Sequence, residues 1–469
     1  MNPDLLQRFV AIVGLKHALT QTDDLTHYTH ENRDIIIGKT PLVLKPASTE
    51  EVAAIVKLAA ETRTAIVPQG GHTGHAAGAV PDESGEQIVV SLERMNKIRE
   101  IDLKGNVIVC DAGCVLETIQ NVADEHERLF PLSLGSQGSC QIGGNISTNA
   151  GGTAVLSYGN TRQLVMGLEV VLPSGEIWNG LRRLKKDNTG YDLKDLFIGA
   201  EGTLGIVTAA VLKLFPKPKG KSVAFCGMQS VKQTVQMLGL ARKRSGNAVT
   251  AFEFLRRDTI EAALKHGQNV RNPLDDMHQW YVLLEISSHR SQSDADETMQ
   301  CILEKALNDQ AISDASIATN LTQQTEFWAI RETVPIVQKQ IGGSIKHDIS
   351  IPLHLIPAFL IEADALVSSE IPGIRHYTFG HLGDGNIHYN LSQPQDGDEV
   401  SFLAKREQIN ELVHKLTVQY EGSISAEHGI GKLKRDLLAR TKDPVELELM
   451  RSIKKTLDPM GIMNPGKVV

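Results

Sequence analysis

Three glycine-rich clusters crowd into the first half of this chain, and they restrict its fold more than any other feature. They are Val67-Pro-Gln-Gly-Gly-His-Thr-Gly74, Leu134-Gly-Ser-Gln-Gly-Ser-Cys-Gln-Ile-Gly-Gly-Asn-Ile-Ser-Thr-Asn-Ala-Gly-Gly152 and Ile198-Gly-Ala-Glu-Gly-Thr-Leu-Gly-Ile206. Closely spaced glycines interrupt regular structure, so each cluster predicts a tight connection between short elements. Short β-branched runs alternate with them, at 87–91, 107–110 and 168–172, and read as strands. The segment 49–60 has helical spacing and opens on a capping pattern. None of the clusters is Gly-x-Gly-x-x-Gly after a strand or Gly-x-x-x-x-Gly-Lys-Ser/Thr, so neither the dinucleotide fingerprint nor the P-loop is present. Unhindered N–H groups in such turns can still form nests for anionic oxygens, with Thr73, Ser136 and Thr148 as hydroxyl donors. Tight turns alone account for one such cluster; three in one domain call for a phosphate-bearing ligand.

The rest of the chain sets bounds. Its 469 residues suffice for two or three domains, and a net charge of -8 argues against a nucleic-acid partner. No apolar run approaches the ~20 residues of a membrane span. The opening residues lack a basic region followed by an apolar core, so no signal peptide is expected. The five cysteines, at 110, 114, 140, 226 and 301, are odd in number and form no Cys-x-x-Cys. That argues against a disulfide framework, excludes a built-in four-cysteine iron–sulfur cluster, and predicts a reduced, cytoplasmic-type protein. After a linker-like stretch at 215–221 the glycines thin out. Longer amphipathic helices are predicted at 230–244 and 294–308, with strands at 280–286 and 344–351. The tail 457–466 is turn-rich again. The expected fold class is α+β, with domains at 1–218 and 219–456 and a tail at 457–469 that returns to the first.

The chemistry concentrates in His381-Leu-Gly-Asp-Gly-Asn-Ile-His388-Tyr-Asn390 and in Glu427-His428. Gly383 to Asn386 is strong turn chemistry, and the alternation beyond it puts His388 and Asn390 on one strand face. A turn that brings His381 back over His388 assembles two imidazoles, and Glu427 supplies a carboxylate. Two histidines and a carboxylate form a set that suits zinc or another transition metal and leaves a coordination position open for catalysis. Four unrelated surface or hydrogen-bonded residues would match the same letters.

These motifs carry a resemblance that covers nearly the whole chain. Pro-x-Gly-Gly-x-Thr-Gly, Ile-Gly-Gly-Asn-x-x-Thr-Asn-Ala-Gly-Gly and Glu-Gly-Thr-Leu-Gly-Ile resemble the FAD-binding domain of the vanillyl-alcohol oxidase flavoproteins. The second half resembles the substrate domain of the FAD-linked D-2-hydroxyacid dehydrogenases, with an antiparallel sheet covered by helices. The resemblance implies FAD contacts from Pro68, Gln69, Gly70, Gly71, His72, Thr73 and Gly74. From the second cluster it implies Leu134, Gly135, Ser136, Cys140, Gly143, Gly144, Thr148, Asn149 and Gly152. From the third it implies Glu201, Gly202, Gly205 and Ile206, and from the tail Asn464. His381, His388 and Glu427 match metal ligands of the family, while Arg331, Lys346, Asn390 and His428 match residues around its substrate. Two departures stand out. Pro335 occupies the place of a substrate-binding threonine, and His72 stands where some members attach FAD covalently.

The implied activity is oxidation of a D-2-hydroxy acid to the 2-oxo acid, with a divalent metal, zinc by its ligands, acting as Lewis acid and His428 as general base. Two cations, Arg331 and Lys346, favour a dicarboxylate such as D-2-hydroxyglutarate over D-lactate. D-lactate, or a broad range of D-2-hydroxy acids, is the nearest alternative. A zinc hydrolase and a non-catalytic nucleotide-binding regulator come from other classes. The electron acceptor is expected to be a separate carrier, electron-transfer flavoprotein by resemblance, and a homodimer is left open.

Overall fold

The computed structural model describes residues 1–31, 35–268, 270–338 and 340–469. The chain forms two compact units. One comprises 1–151, 159–216 and 427–469; the other comprises 152–158 and 217–426. The units therefore change over at 216/217, close to the expected linker. They differ from the sequence expectation in giving 427–456 to the first unit and 152–158 to the second. Composition does not register either return, because each depends on which core a segment packs into.

The first unit holds two small sheets and a two-stranded pair, Arg128–Leu129 with Phe215–Pro216. In the four-stranded one, Val43–Leu44, Ile88–Ser91 and Ile66–Gln69 run parallel in that order, with Ala18–Leu19 antiparallel on the edge. Helix Thr49–Thr62 makes the crossover that parallel pairing requires. Its N-cap is Ser48, whose side chain accepts from the Glu51 N–H, one residue before the expected start. The tail pairs onto the same sheet through Ile66 and Met463. The second sheet is antiparallel, in the order Ile98–Asp102, Val107–Asp111, Ile206–Lys213, Val165–Val171, Ile177–Gly180.

The second unit is built on one seven-stranded antiparallel sheet. Its order is Asp314–Ile317, Gly220–Met228, Trp280–Ser288, Val249–Arg256, Arg375–His381, Asn386–Ser392, Ser344–Ser350. Helices cover both faces, so the central strands read as unbroken apolar runs. Ala224, Cys226, Phe252, Phe254, Val282 and Leu284 enter one core, under helices Val231–Ser245, Gln292–Asn308 and Ile356–Glu370. Val223, Phe225, Leu255, Leu283 and Phe379 enter the other, under helices Arg257–His266 and Leu321–Val337. The alternation follows from the two-residue period of a strand. Among the described residues no helix is long and apolar enough to cross a membrane.

Candidate active site

Sheet register assembles the polar face of the second unit. Glu253 pairs with His381, Phe379 with His388, Asp348 with His388, and Lys346 with Asn390. Directly opposed residues point the same way, so Glu253, His381, His388, Asp348, Asn390 and Lys346 share the face that carries Leu255 and Phe379. The expected turn is a short 3-10 segment, Leu382–Asp384, closed by Gly385 at φ 83°. It folds the two histidine rings to 5.6 Å between centroids at 81°. A ring nitrogen of each lies within 4.8 Å of one of the other.

Each histidine is backed by a carboxylate. The His381 Nδ1 meets Glu253 Oε1 at 2.7 Å, and the His388 Nδ1 lies 3.9 Å from Asp348 Oδ1. The carboxylate on His381 Nδ1 presents its Nε2 as the ligand atom and raises its basicity, the usual support of a metal-binding imidazole, while Asp348 places a negative charge near His388. The donor chemistry thus fits a divalent metal. Glu253 has no exposed surface and also accepts from Arg331 Nε at 2.8 Å. Burial pushes its carboxyl up, but attraction from His381 and Arg331, with their hydrogen bonds, holds it below the usual range.

Arg331 projects from helix Leu321–Val337 and lies over the Phe379 ring at 4.7 Å. Its Nε is committed to Glu253, while its Nη atoms bond to none of the described residues. Lys346 is exposed on its strand, opposite the buried Ile345 and Ile349. Asn390 donates to Gln338 Oε1 at 3.0 Å. Pro335 lies inside the Arg331 helix. The strand Ser344–Ser350 also anchors the chain that leads to the remaining expected residues. Ser423 bridges to Ser350, and the Ala426 N–H reaches the Asp348 carbonyl at 3.4 Å. Glu427 is the next residue in the chain, and it opens the last segment of the other unit.

In the first unit the three glycine clusters meet at the end of strand Ile66–Gln69. A Cβ at Gly71 would fall 2.2 Å from the Ser139 carbonyl oxygen, and one at Gly202 would fall 2.7 Å from Pro68 Cγ. Gly70 would lie 3.5 Å from the Gly144 nitrogen. Glycine is required where the clusters touch, whereas Gly74, Gly135 and Gly144 face open space. Four buried polar atoms around this cradle have no partner among the described residues: His72 Nδ1, Gln141 Oε1, Asn145 Oδ1 and Asn464 Oδ1. Orphaned buried acceptors and an open glycine rim fit a polar, extended cofactor such as FAD.

Several of the residues expected at FAD also have local structural roles. The second cluster is helical over Ile142–Ser147, so Gly143 packs on Ala112 and the Thr148 hydroxyl bonds back to the Gly144 carbonyl at 3.1 Å. The Glu201 carboxylate is spent on the Ile430 and Gly431 N–H groups, at 2.7 and 2.8 Å. Gln69 donates to the Tyr28 and Ala79 carbonyls, Asn149 accepts from the Arg162 N–H, and Gly205 packs on Val170. Cys140 is buried, the Ser136 carbonyl closes a turn to it, and Ile206 starts a strand. These side chains are consumed locally because a cradle of glycine turns has few other means of holding its shape. His72 has φ 56°, and its Nε2 is bonded to the His30 carbonyl. His428 lies edge-on to His75 at 5.0 Å. Sequence reasoning missed Glu253, Asp348, Gln141 and Asn145. Gln141 and Asn145 lay inside the second glycine cluster and Asp348 inside the strand at 344–351, whereas Glu253 lay in no motif.

The FAD binding domain model matches residues 40–180, and the model of FAD linked oxidases, C-terminal domain, matches 217–468. The mitochondrial D-2-hydroxyglutarate dehydrogenase of Arabidopsis thaliana is 37% identical over 98% of this chain and 80% of its own length. The D-2-hydroxyglutarate dehydrogenase of Xanthomonas citri pv. viticola is 37% identical, over 99% and 96%. Among solved structures, an alkyldihydroxyacetonephosphate synthase superposes with a TM-score of 0.77 at 16% identity, covering 99% of this chain and 86% of that one. A p-cresol methylhydroxylase gives 0.76 at 17%, covering 99% and 96%. The fold is thus that of the vanillyl-alcohol oxidase flavoproteins, and the chain belongs to the FAD-linked oxidases, among the relatives of the D-2-hydroxyglutarate dehydrogenases.

Proposed function

We propose that this enzyme oxidises D-2-hydroxyglutarate to 2-oxoglutarate, with FAD as its first electron acceptor and a divalent metal, zinc by its donor set, held by His381, His388 and Glu427. The observation that carries the reading is one sheet face. It presents two imidazoles, one hydrogen-bonded to Glu253 and the other near Asp348, beside an amide, Asn390, and two cations, Arg331 and Lys346. The names of the relatives support the same substrate.

Bound FAD supplies a hydride acceptor and bound metal a Lewis acid. The chain's own residues bind, orient and move a proton. Glu253 holds Arg331 by Nε, so the Nη fork is presented to a substrate carboxylate in bidentate fashion. Lys346 adds a point charge, which a second carboxylate satisfies. Asn390, steadied by Gln338, is placed to meet the hydroxyl or carboxylate. His428 takes the hydroxyl proton as general base. We further propose that a separate carrier, such as electron-transfer flavoprotein, reoxidises the flavin. The five unpaired cysteines support a cytoplasmic setting.

The test is anaerobic bleaching of the flavin by a panel of D- and L-2-hydroxy acids. D-2-hydroxyglutarate should bleach fastest. D-lactate, with one carboxylate, should lose about tenfold to somewhat over a hundredfold in efficiency, since a charge-assisted hydrogen bond contributes ~1.5–3 kcal/mol. Equal or better efficiency on D-lactate, or preference for L-acids, overturns the assignment.

A further inference from the structure

We propose that Lys467 carries the positive charge that balances the negative charge placed on the flavin ring when FAD is reduced. The proposal rests on the FAD and hydride reading above. A 2-hydroxy acid that becomes a 2-oxo acid loses a proton from its hydroxyl and a hydride from C2. The proton goes to the base; the hydride brings two electrons and one hydrogen to a neutral ring, which becomes a monoanion. A buried anion needs a buried cation nearby.

Lys467 is 2% exposed, yet its side-chain ammonium makes no hydrogen bond or ion pair with the described residues; only its backbone carbonyl is used, by the Val469 N–H. Helix Pro444–Leu457 shows how this fold satisfies even a half-buried lysine. Lys454 donates to the Thr203 and Met463 carbonyls, each at 2.7 Å, and pairs with Asp458. Lys467 has no such set. The carboxylates that act on it are those of Asp82 and Glu201. Asp82 is occupied by the Ser84 hydroxyl and N–H, and Glu201 by the Ile430 and Gly431 N–H groups. Burial, with opposition from Lys432 and Arg435, holds Lys467 down to about 8.

A second orphan lies on the same turn. The Asn464 Nδ2 is fixed by the Gly78 and Glu201 carbonyls, at 2.9 and 2.8 Å, while its buried Oδ1 has no partner. Two polar groups of one tail turn therefore await a ligand. The turn is linked to the third glycine cluster by hydrogen bonds: the Val468 N–H donates to the Gly431 carbonyl, and the Gly431 N–H donates to Glu201. Neither belongs to the contact between the first two clusters. That placement favours the ring over the pyrophosphate, whose charge is the same in both redox states.

The measurement is the midpoint potential of the FAD-loaded enzyme, by dye equilibration without substrate. Lys467→Met should favour the oxidised form about tenfold to a hundredfold, at ~30 mV per tenfold for two electrons, with affinity for oxidised FAD retained. Lys467→Arg should keep most of the wild-type potential. Lys467→Gln removes the charge but keeps a polar side chain, so it gives the measurement if methionine is not tolerated. Unchanged potentials in the Met and Gln variants overturn the proposal. So does loss of FAD affinity at constant potential, which would put the cation on the pyrophosphate. Because no hydroxy acid is used, failure of the substrate assignment shows only in the bleaching panel.

Discussion

Glu253→Gln cuts the one carboxylate that holds both Arg331 and His381. The side chain has no exposed surface and accepts two charge-assisted hydrogen bonds, at 2.8 and 2.7 Å. Glutamine keeps the shape but removes the counter-charge of a guanidinium that is itself only 8% exposed. Breaking a buried pair from one side costs ~3–5 kcal/mol, because the other charge is left uncompensated. At about 2–4 °C per kcal/mol for a ~150–250-residue domain, this unit should melt roughly 6–20 °C lower. Loss of the partner behind a metal-binding histidine should also weaken metal affinity by about 10–100-fold. The assays are thermal melting followed by circular dichroism, and zinc retention against a competing chelator, both with flavin content recorded. FAD should stay bound, since its expected cradle lies in the other unit. The pH dependence has a definite sign. Glu253 is held below its unfolded value of ~4.3, so its contribution is present above that pH and is lost as pH falls through the folded value. The variant should therefore lose less stability than wild type on acidification. A variant with wild-type melting and zinc retention would refute the coupling of these three side chains.

Chelation, or His388→Ala, should abolish turnover while the protein stays yellow; full activity in metal-free enzyme would leave the histidines without a metal role. His428→Ala should slow flavin reduction by about 10²–10⁴-fold, and an unchanged rate and pH profile would remove it as the base. The FAD-free protein should gain stability as pH rises from about 8 to ~10.4, because there the unfolded chain binds a proton that folded Lys467 has lost. Lys467→Met should flatten that rise in a urea-melt series, and a slope equal to wild type would show that the burial cost lies elsewhere.

Much of the site was legible because its parts are local. His381 and His388 are joined by a short turn whose Gly-Asp-Gly-Asn letters announce it, and the two-residue period put His388 with Asn390 and set Lys346 apart from Ile345 and Ile349. The glycine clusters were legible for a similar reason, since no other residue tolerates such close contacts. The helix within the second cluster was not. Glycine propensity argues against a helix, and the packing of Gly143 on Ala112 overrides it. Glu253 was invisible, as a lone carboxylate in an apolar strand whose partner is 128 residues away.

The sequence by itself determined the character of each half: glycine turns and short strands first, a helix-covered sheet second, and a local hairpin that holds two imidazoles. It also determined the family, because the three cradle motifs and the histidine turn are contiguous. Only the tertiary structure decided which carboxylates stand behind those imidazoles, that Arg331 is pinned by one of them, and that 427–469 returns to the first unit. The physical reason is range. Backbone period and turn chemistry act over a few residues, whereas strand register and burial bring together groups that no local pattern links.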